Sequence, residues 1–294
     1  MSSQDFTDAL CSKLRQLIPH HFVSKEQTKF ISEIKNNISK NEVLVQLDFA
    51  ENYAFVAQNA AQAFHFNNDQ STIFPAVLYY KSGHEIKHFS TLTMSDCTTH
   101  DATAVYIMQQ KLIPKIRKVR PELKKVNYVS DGAKQHFKNR FQMCNLMHHK
   151  KDFGVYADWH FFATAHGKGS CNGVGAIVKK EAARASLQAS VNEAILNVEA
   201  LFSWATSKRN FDIQFFLYTK DDHKRAHQFL SKRFNNCPRI TQIQMGHAFI
   251  PQSNETLTVK RYSNASKPLS EVCYELNATH SSPLKIPRTR SQKL

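Results

Sequence analysis

Residues 43–49 read VLVQLDF, a nearly continuous apolar run that is too short for a helix and contains one carboxylate, Asp48. Such a run predicts a central strand, and an ionised Asp inside it is costly unless a cation or a donor meets it. Upstream, Phe6, Leu10, Leu14, Leu17 and Ile18 recur at helical spacing until Pro19, and Phe30, Ile31, Ile34 and Ile38 resume it, which predicts two helices. Downstream, residues 72–80 (TIFPAVLYY) and 88–94 (HFSTLTM) predict two more strands with no helix between them, hence an antiparallel meander. The texture then alternates. A helix over 101–118 with Asp101 as its cap leads to a strand at 126–130 (VNYVS), which ends at Asp131-Gly132. A helix over 133–149, a strand over 155–164, a glycine-rich loop and helices over 174–187 and 191–207 follow. This alternation predicts strands added in parallel through crossover helices. The fold class is therefore α/β, a mixed five-stranded sheet flanked by helices, with N-terminal helices and a small C-terminal α+β extension. The divisions fall at 1–40 (helical segment), 41–208 (sheet domain), 209–263 (extension) and 264–294, a basic tail rich in Ser and Pro that is expected to be disordered.

Composition limits the function classes. The chain has 294 residues with 39 Lys plus Arg against 24 Asp plus Glu, a formal charge of +15. With 41% apolar residues and 21 Phe it can build a core, yet no run of about 18 apolar residues suggests a membrane span. The opening MSSQDFTDAL lacks the apolar stretch of a secretory signal, and the six cysteines contain no CxxC pair. Both point to a nuclear or cytoplasmic protein with reduced thiols rather than a secreted one. The positive surplus points to a polyanionic partner, nucleic acid first.

Two aspartates stand out by position. Asp48 lies in the first strand and Asp131 ends the fourth; if those strands are neighbours, the two carboxylates lie side by side and either share a proton or bind a divalent cation. The plainer reading has Asp131 capping the following helix and Asp48 pairing with a lysine. The segment His166 to Gly175 (HGKGSCNGVG) joins a strand to a helix, and its glycines, with His166 and Lys168, suit contact with phosphate. It matches neither the Walker loop nor the dinucleotide fingerprint, so no small-molecule cofactor is expected. Lys111, Lys115, Arg117, Lys118, Arg120, Lys124 and Lys125 form a dense basic run, continued by Lys134, Lys138 and Arg140. Read beside Asp131, Lys115, Arg117, Lys118, Lys134 and Lys138 suggest a phosphate-backbone track; the plainer reading is a solvated helix face. Cys144, His148, His160, His166 and Cys171 show no closely paired zinc-ligand spacing.

Taken together, LDFAENY (47–53), VSDGAKQHFKN (129–139) and WHFFATAHGKGSCNGVG (159–175) resemble the ribonuclease H-like catalytic domain of transposase-derived proteins, relatives of the integrase superfamily. The likeness covers roughly residues 40–190 and extends loosely to the segment around His247. It implies DNA as partner and a Mg²⁺- or Mn²⁺-dependent two-metal nuclease and strand-transfer site, with Asp48 and Asp131 as metal ligands and catalytic acids. The third acid of such a site comes from the helix after the fifth strand, where relatives read GKGxxDGxG and this chain has Asn172. An amide cannot supply the negative charge a second metal needs, so the resemblance implies an impaired site. Glu181, or Glu51 near Asp48, is a candidate substitute. The alternative is a non-catalytic, domesticated nucleic-acid-binding protein, and a homo-oligomer is compatible with either.

Overall fold

The computed structural model describes residues 1–56, 69–163, 169–190, 193–209 and 211–276. Its centre is the predicted strand run. Strand β1 (Glu42–Leu47) pairs antiparallel with β3 (Gln70–Ser82), and β3 with β4 (Glu85–Ser95), which makes the meander. A two-residue strand, β2 (Tyr53–Ala54), pairs with the start of β3. On the other side of β1, β5 (Lys125–Ser130) and β6 (Tyr156–Phe161) add in parallel. The protein is thus α/β, with a mixed sheet flanked by helices.

The sheet does not stop at five strands. From the expected C-terminal extension, β7 (Ile213–Tyr218) joins β4 in parallel at one edge. Strands β8 (Ala248–Pro251), β9 (Thr256–Lys260) and β10 (Ser270–Cys273) continue antiparallel from β6 at the other. The path reads β10-β9-β8-β6-β5-β1-β3-β4-β7. The edges of the five-stranded core are thus covered, by β7 (within DIQFFLY, 212–218, a clear strand signal) on one side and by the weaker strand signals of β8 and β9 on the other. Residues 264–276, expected as part of the disordered tail, are instead ordered and include β10. Leu269, Val272, Tyr274 and Leu276 pack on the main core and hold β10 in place, whereas residues 277–294 lie outside the described part.

Period-two alternation divides the core. Phe74, Ala76 and Leu78 of β3 face one side, with Val43, Val45 and Leu47 of β1. There they meet α2 (Ala102–Val119), which Asp101 caps through the Ala104 N–H as expected, and α3 (Arg140–Met147). The 16-residue helix α7 (Lys220–Asn235) packs on α2. Ile73 of β3 faces the other side, under α5 (Ser170–Gln188) and α6 (Val198–Ser207). Val77, Tyr79 and Leu44 face the same way and meet Ile31, Ile34 and Ile38.

Two helical expectations change. The N-terminal segment is one helix, α1 (Ser3–Asn36), which runs through Pro19. The predicted helix over 133–149 is instead a turn followed by α3 and the five-residue α4 (His149–Phe153). The N–H groups of Phe137 and Lys138 both donate to the Ala133 carbonyl, and the Asn139 side chain then accepts from the Gln142 N–H to start α3 afresh. Among the described residues no helix is long and apolar enough to cross a membrane.

Candidate active site

Parallel pairing of β1 and β5 sets Gln46 opposite Val129. Continued by two residues, the same register sets Asp48 opposite Asp131, each just past the C-terminal end of its strand. Asp48 is therefore not inside the strand but the first residue beyond it. Its N–H still donates to the Pro75 carbonyl at 3.3 Å, which keeps the backbone fixed. Both side chains are half-buried. Burial first, and the neighbouring charge of Asp131 second, push the Asp48 carboxyl up to about 6, against a hydrogen bond from the Phe49 backbone. Asp131 does not cap a helix as in the plainer reading, because a turn stands there; its Oδ1 accepts the Ala133 N–H at 3.2 Å within that turn.

Helix α5 lies against this end of β1. Gly169, its first flanking residue, admits no side chain: a Cβ there would sit 1.5 Å from the Gln46 amide nitrogen. The Cys171 thiol donates to the Gln46 carbonyl at 3.2 Å, and Gly175 faces Ala50. Burial, reinforced by the Asp48 charge, pushes that thiol up to about 12. Asp48 lies between Gln46 and Ala50, so the turn carrying Asn172 runs beside it. Asn172 itself is exposed. Glu181 lies nine residues further, about 13 Å along the axis, beyond the level of Ala50, and does not join the pair. Glu51 is exposed, and its backbone carbonyl accepts from Lys179.

The expected basic track is divided. Lys138 is 4% exposed and not on a solvent-facing surface. The turn at 133–138 folds it inward, across Gly132, where its Nζ lies 4.8 Å over the Phe161 ring and donates to the Gln244 carbonyl at 3.4 Å. Burial lowers its pKa to about 8, with Asp131 pulling it back up. Lys134 is exposed near this end. Lys115, Arg117 and Lys118 are elsewhere. Helix α2 begins beside Phe49 and ends at Lys40, so these three sit about 20–25 Å from its start, at the opposite end of the sheet. Thirteen residues separate Lys118 from Asp131, but β5 uses that length to cross the whole sheet. Lys115 donates to the Gln214 side chain, and Arg117 to the Phe153 carbonyl at 2.6 Å. His166 and Lys168 lie outside the described residues.

Sequence reading missed an aromatic shelf beside the carboxylates. The Phe49 ring stacks on His100 (4.2 Å between centroids) and also touches His136 (4.7 Å). His100 is held down to about 4, first by burial and then by the charge of His136. His136 is also lowered by burial, with Asp131 and Asp101 opposing. No spacing signals this group, because residues 49, 100 and 136 meet only once β1, α2 and the 133–138 turn converge.

A divalent cation is what two adjacent carboxylates would hold. Among the described residues no three His, Cys, Asp or Glu side chains form a metal-holding group. Mg²⁺ is commonly bound through one or two carboxylates with water completing its shell, so this donor set suits one such ion. A second ion would need another anionic ligand, which Asn172 is not.

The sequence profile of a family described as "Domain of unknown function (DUF8701)" matches residues 27–263. No curated protein matches the chain. The two limits of the match meet in space: Gln27 is 1% exposed, and its Oε1 accepts the Ser263 N–H at 2.7 Å.

Proposed function

The chain belongs to the DUF8701 family, and on that premise we propose that it is a transposase-derived, DNA-binding protein. We take its domain to be ribonuclease H-like, with the nuclease and strand-transfer site reduced to a single carboxylate pair. The observation that carries this reading is Asp48 opposite Asp131 at the ends of adjacent parallel strands, with the first turn of α5 alongside. A three-stranded meander followed by two parallel strands through helices is the arrangement the ribonuclease H-like reading requires.

In this site Asp48 and Asp131 supply the negative charge that would hold Mg²⁺ or Mn²⁺, which when bound would lower the pKa of a water or 3′-hydroxyl and offset charge on a phosphodiester oxygen. Pairing of β1 with β5 fixes the separation of the carboxylates. The Ala133 N–H orients Asp131. Below about pH 6 Asp48 takes up a proton and the pair loses a charge. Lys138 places a buried cation beside Asp131. Asn172 leaves the third position neutral, so transition-state charge is poorly balanced and cleavage is slow or absent.

The test is cleavage of end-labelled DNA with Mg²⁺ or Mn²⁺, comparing wild type, Asp48→Ala and Asn172→Asp. A silent wild type and metal-dependent cleavage by Asn172→Asp is the expected result. Wild-type cleavage that survives Asp48→Ala would sink the carboxylate site. A second reading, nucleic-acid binding without chemistry, is favoured by Asn172 alone. It predicts salt-dependent DNA binding and no cleavage by any of the three proteins.

A further inference from the structure

Helices α3 and α7 bring together two thiols that the carboxylate site does not use. Phe141 of α3 packs on Phe234 near the end of α7, with 5.0 Å between ring centroids. Three residues further along each segment, Cys144 meets Cys237, and the two thiols hydrogen-bond to each other. Both also reach one acceptor, the Arg233 carbonyl, Cys237 Sγ at 3.4 Å and Cys144 Sγ at 4.0 Å. The Arg233 guanidinium donates to Asn145 Oδ1 at 3.1 Å and to Asp152 Oδ2 at 2.8 Å, which fixes the stretch of α7 that carries this carbonyl.

Buried cysteines ordinarily act as small apolar fillers. The surroundings of this pair are different. The hydrogen bond from Cys144 pulls the Cys237 thiol below its ordinary range against burial, and the charges of Arg140 and Arg233 add to the pull. The same bond first, and burial second, hold Cys144 above its own range. One sulfur is thus set to carry charge and the other to keep a proton. Position agrees with that division. Cys237 follows the exposed Asn236 just past the end of α7 and is 7% exposed, whereas Cys144 lies within α3 and is 3% exposed. Tyr274 adds an independent sign. Burial, and then the charges of Cys144 and Cys237, raise it, and its buried hydroxyl has no hydrogen-bond partner among the described residues. A buried donor left unsatisfied is costly, and an oxygen added to a neighbouring sulfur supplies an acceptor.

We propose that Cys144 and Cys237 are a peroxide-oxidised pair that forms a reversible disulfide, with Cys237 as the attacking sulfur and Cys144 as the resolving one. The Cys237 thiolate attacks an oxygen of hydrogen peroxide: an S–O bond forms, the O–O bond breaks, and the departing hydroxide takes up the proton that Cys237 released. The Cys144 sulfur then attacks the sulfenic sulfur. The S–S bond forms, the S–O bond breaks, and hydroxide leaves with the Cys144 proton as water. Two thiols are oxidised by two electrons, and one peroxide is reduced to two waters. The product ties the end of α7 to α3, the helix that directly follows the turn carrying His136 and Lys138.

Peptide mapping of the folded full chain after hydrogen peroxide treatment tests this, in a Cys11→Ser/Cys273→Ser background that removes the two exposed thiols. Remaining thiols are blocked with N-ethylmaleimide in denaturant before digestion. The expected result is a linked pair of peptides carrying Cys144 and Cys237, two hydrogens lighter than the separate peptides, which dithiothreitol separates. Recovery of both cysteines as maleimide adducts overturns the proposal. So does a link to Cys97 or Cys171 instead, or a link that forms only when peroxide is added in urea. Adding Cys144→Ser should stop the reaction at a Cys237 sulfenic acid that dimedone traps, and adding Cys237→Ser should leave Cys144 a thiol. Dimedone on Cys144 in the Cys237→Ser protein overturns the assignment of roles.

Discussion

The two ends of the parallel strands carry opposite chemistry in opposite states. At the C-terminal ends of β1 and β5 lie Asp48 and Asp131, half-buried, with the charge of Asp131 pressing on Asp48, and the half-buried rings of His100 and His136 are lowered by burial. At the N-terminal ends the cations are engaged in holding the fold. Arg120 donates to the Lys40 carbonyl and Arg117 to that of Phe153, and Lys125 pairs with Asp158 at 2.6 Å. The dense basic run that draws the eye in sequence is in part a set of ties between loops. The sparse end holds the two aspartates, and there burial and the neighbouring charge raise the Asp48 carboxyl. Abundance of charge and strain on charge are different signals, and it is the second that makes a group a candidate for function.

The largest expected effect is on acid stability and asks which end opens first. Burial holds His149, near the start of β6, down to about 4, and His160, near its end, down to about 3, each from an ordinary 6.5. A histidine lowered on folding leaves stability intact above 6.5 and removes it as pH falls towards the folded value, because only the unfolded chain takes up the proton. Each such residue should cost about 1.4 kcal/mol per pH unit below 6.5. Urea midpoints should therefore fall steeply between pH 6.5 and 4.5. Comparing His149→Gln with His160→Gln assigns the loss to one end or the other.

Next comes the anchor of the carboxylate end. Gln27 donates to the carbonyls of Phe161 (2.7 Å) and His247 (3.2 Å) and accepts from Ser263. Gln27→Ala strands these groups in the interior and should cost on the order of 3 kcal/mol in chemical denaturation. A smaller loss is expected at the basic end: Arg117→Ala and Arg120→Ala should each cost about 1 kcal/mol or less. Both should leave the salt dependence of DNA binding unchanged. A shallower slope in either variant would break the comparison, since it would make the ties a DNA surface. The smallest effect is a shift rather than a loss. Asp131→Asn removes the charge that helps to raise Asp48, so the Asp48 carboxyl, followed by ¹³C NMR, should titrate lower than its present value of about 6.

The five central strands are legible because each is a short apolar run between clear breakers, and the meander followed by alternation fixes their pairing. Asp48 and Asp131 are legible for a related reason: a carboxylate at the end of a core strand conflicts with its surroundings. Of the outer strands β10 is not, since it has four residues inside a stretch rich in Ser and Pro and owes its order to β9. Lys138 is misread because charge in a sequence carries no direction. Only the turn at Ala133 decides that it points inward. The helix through Pro19 is misread because the change of apolar face at that residue looks the same as a break.

By itself, then, the sequence determined an α/β chain with two aspartates on core strands and a surplus of positive charge, since burial pattern and composition are local properties of the chain. Only the tertiary structure decided that the aspartates oppose each other and that Lys115, Arg117 and Lys118 lie at the far end of the sheet. It also decided that Lys138 and His136 lie beside Asp131. Those outcomes depend on strand register and crossing length. A six-residue strand carries the chain from one end of the sheet to the other, and no spacing along the sequence records which end a residue reaches.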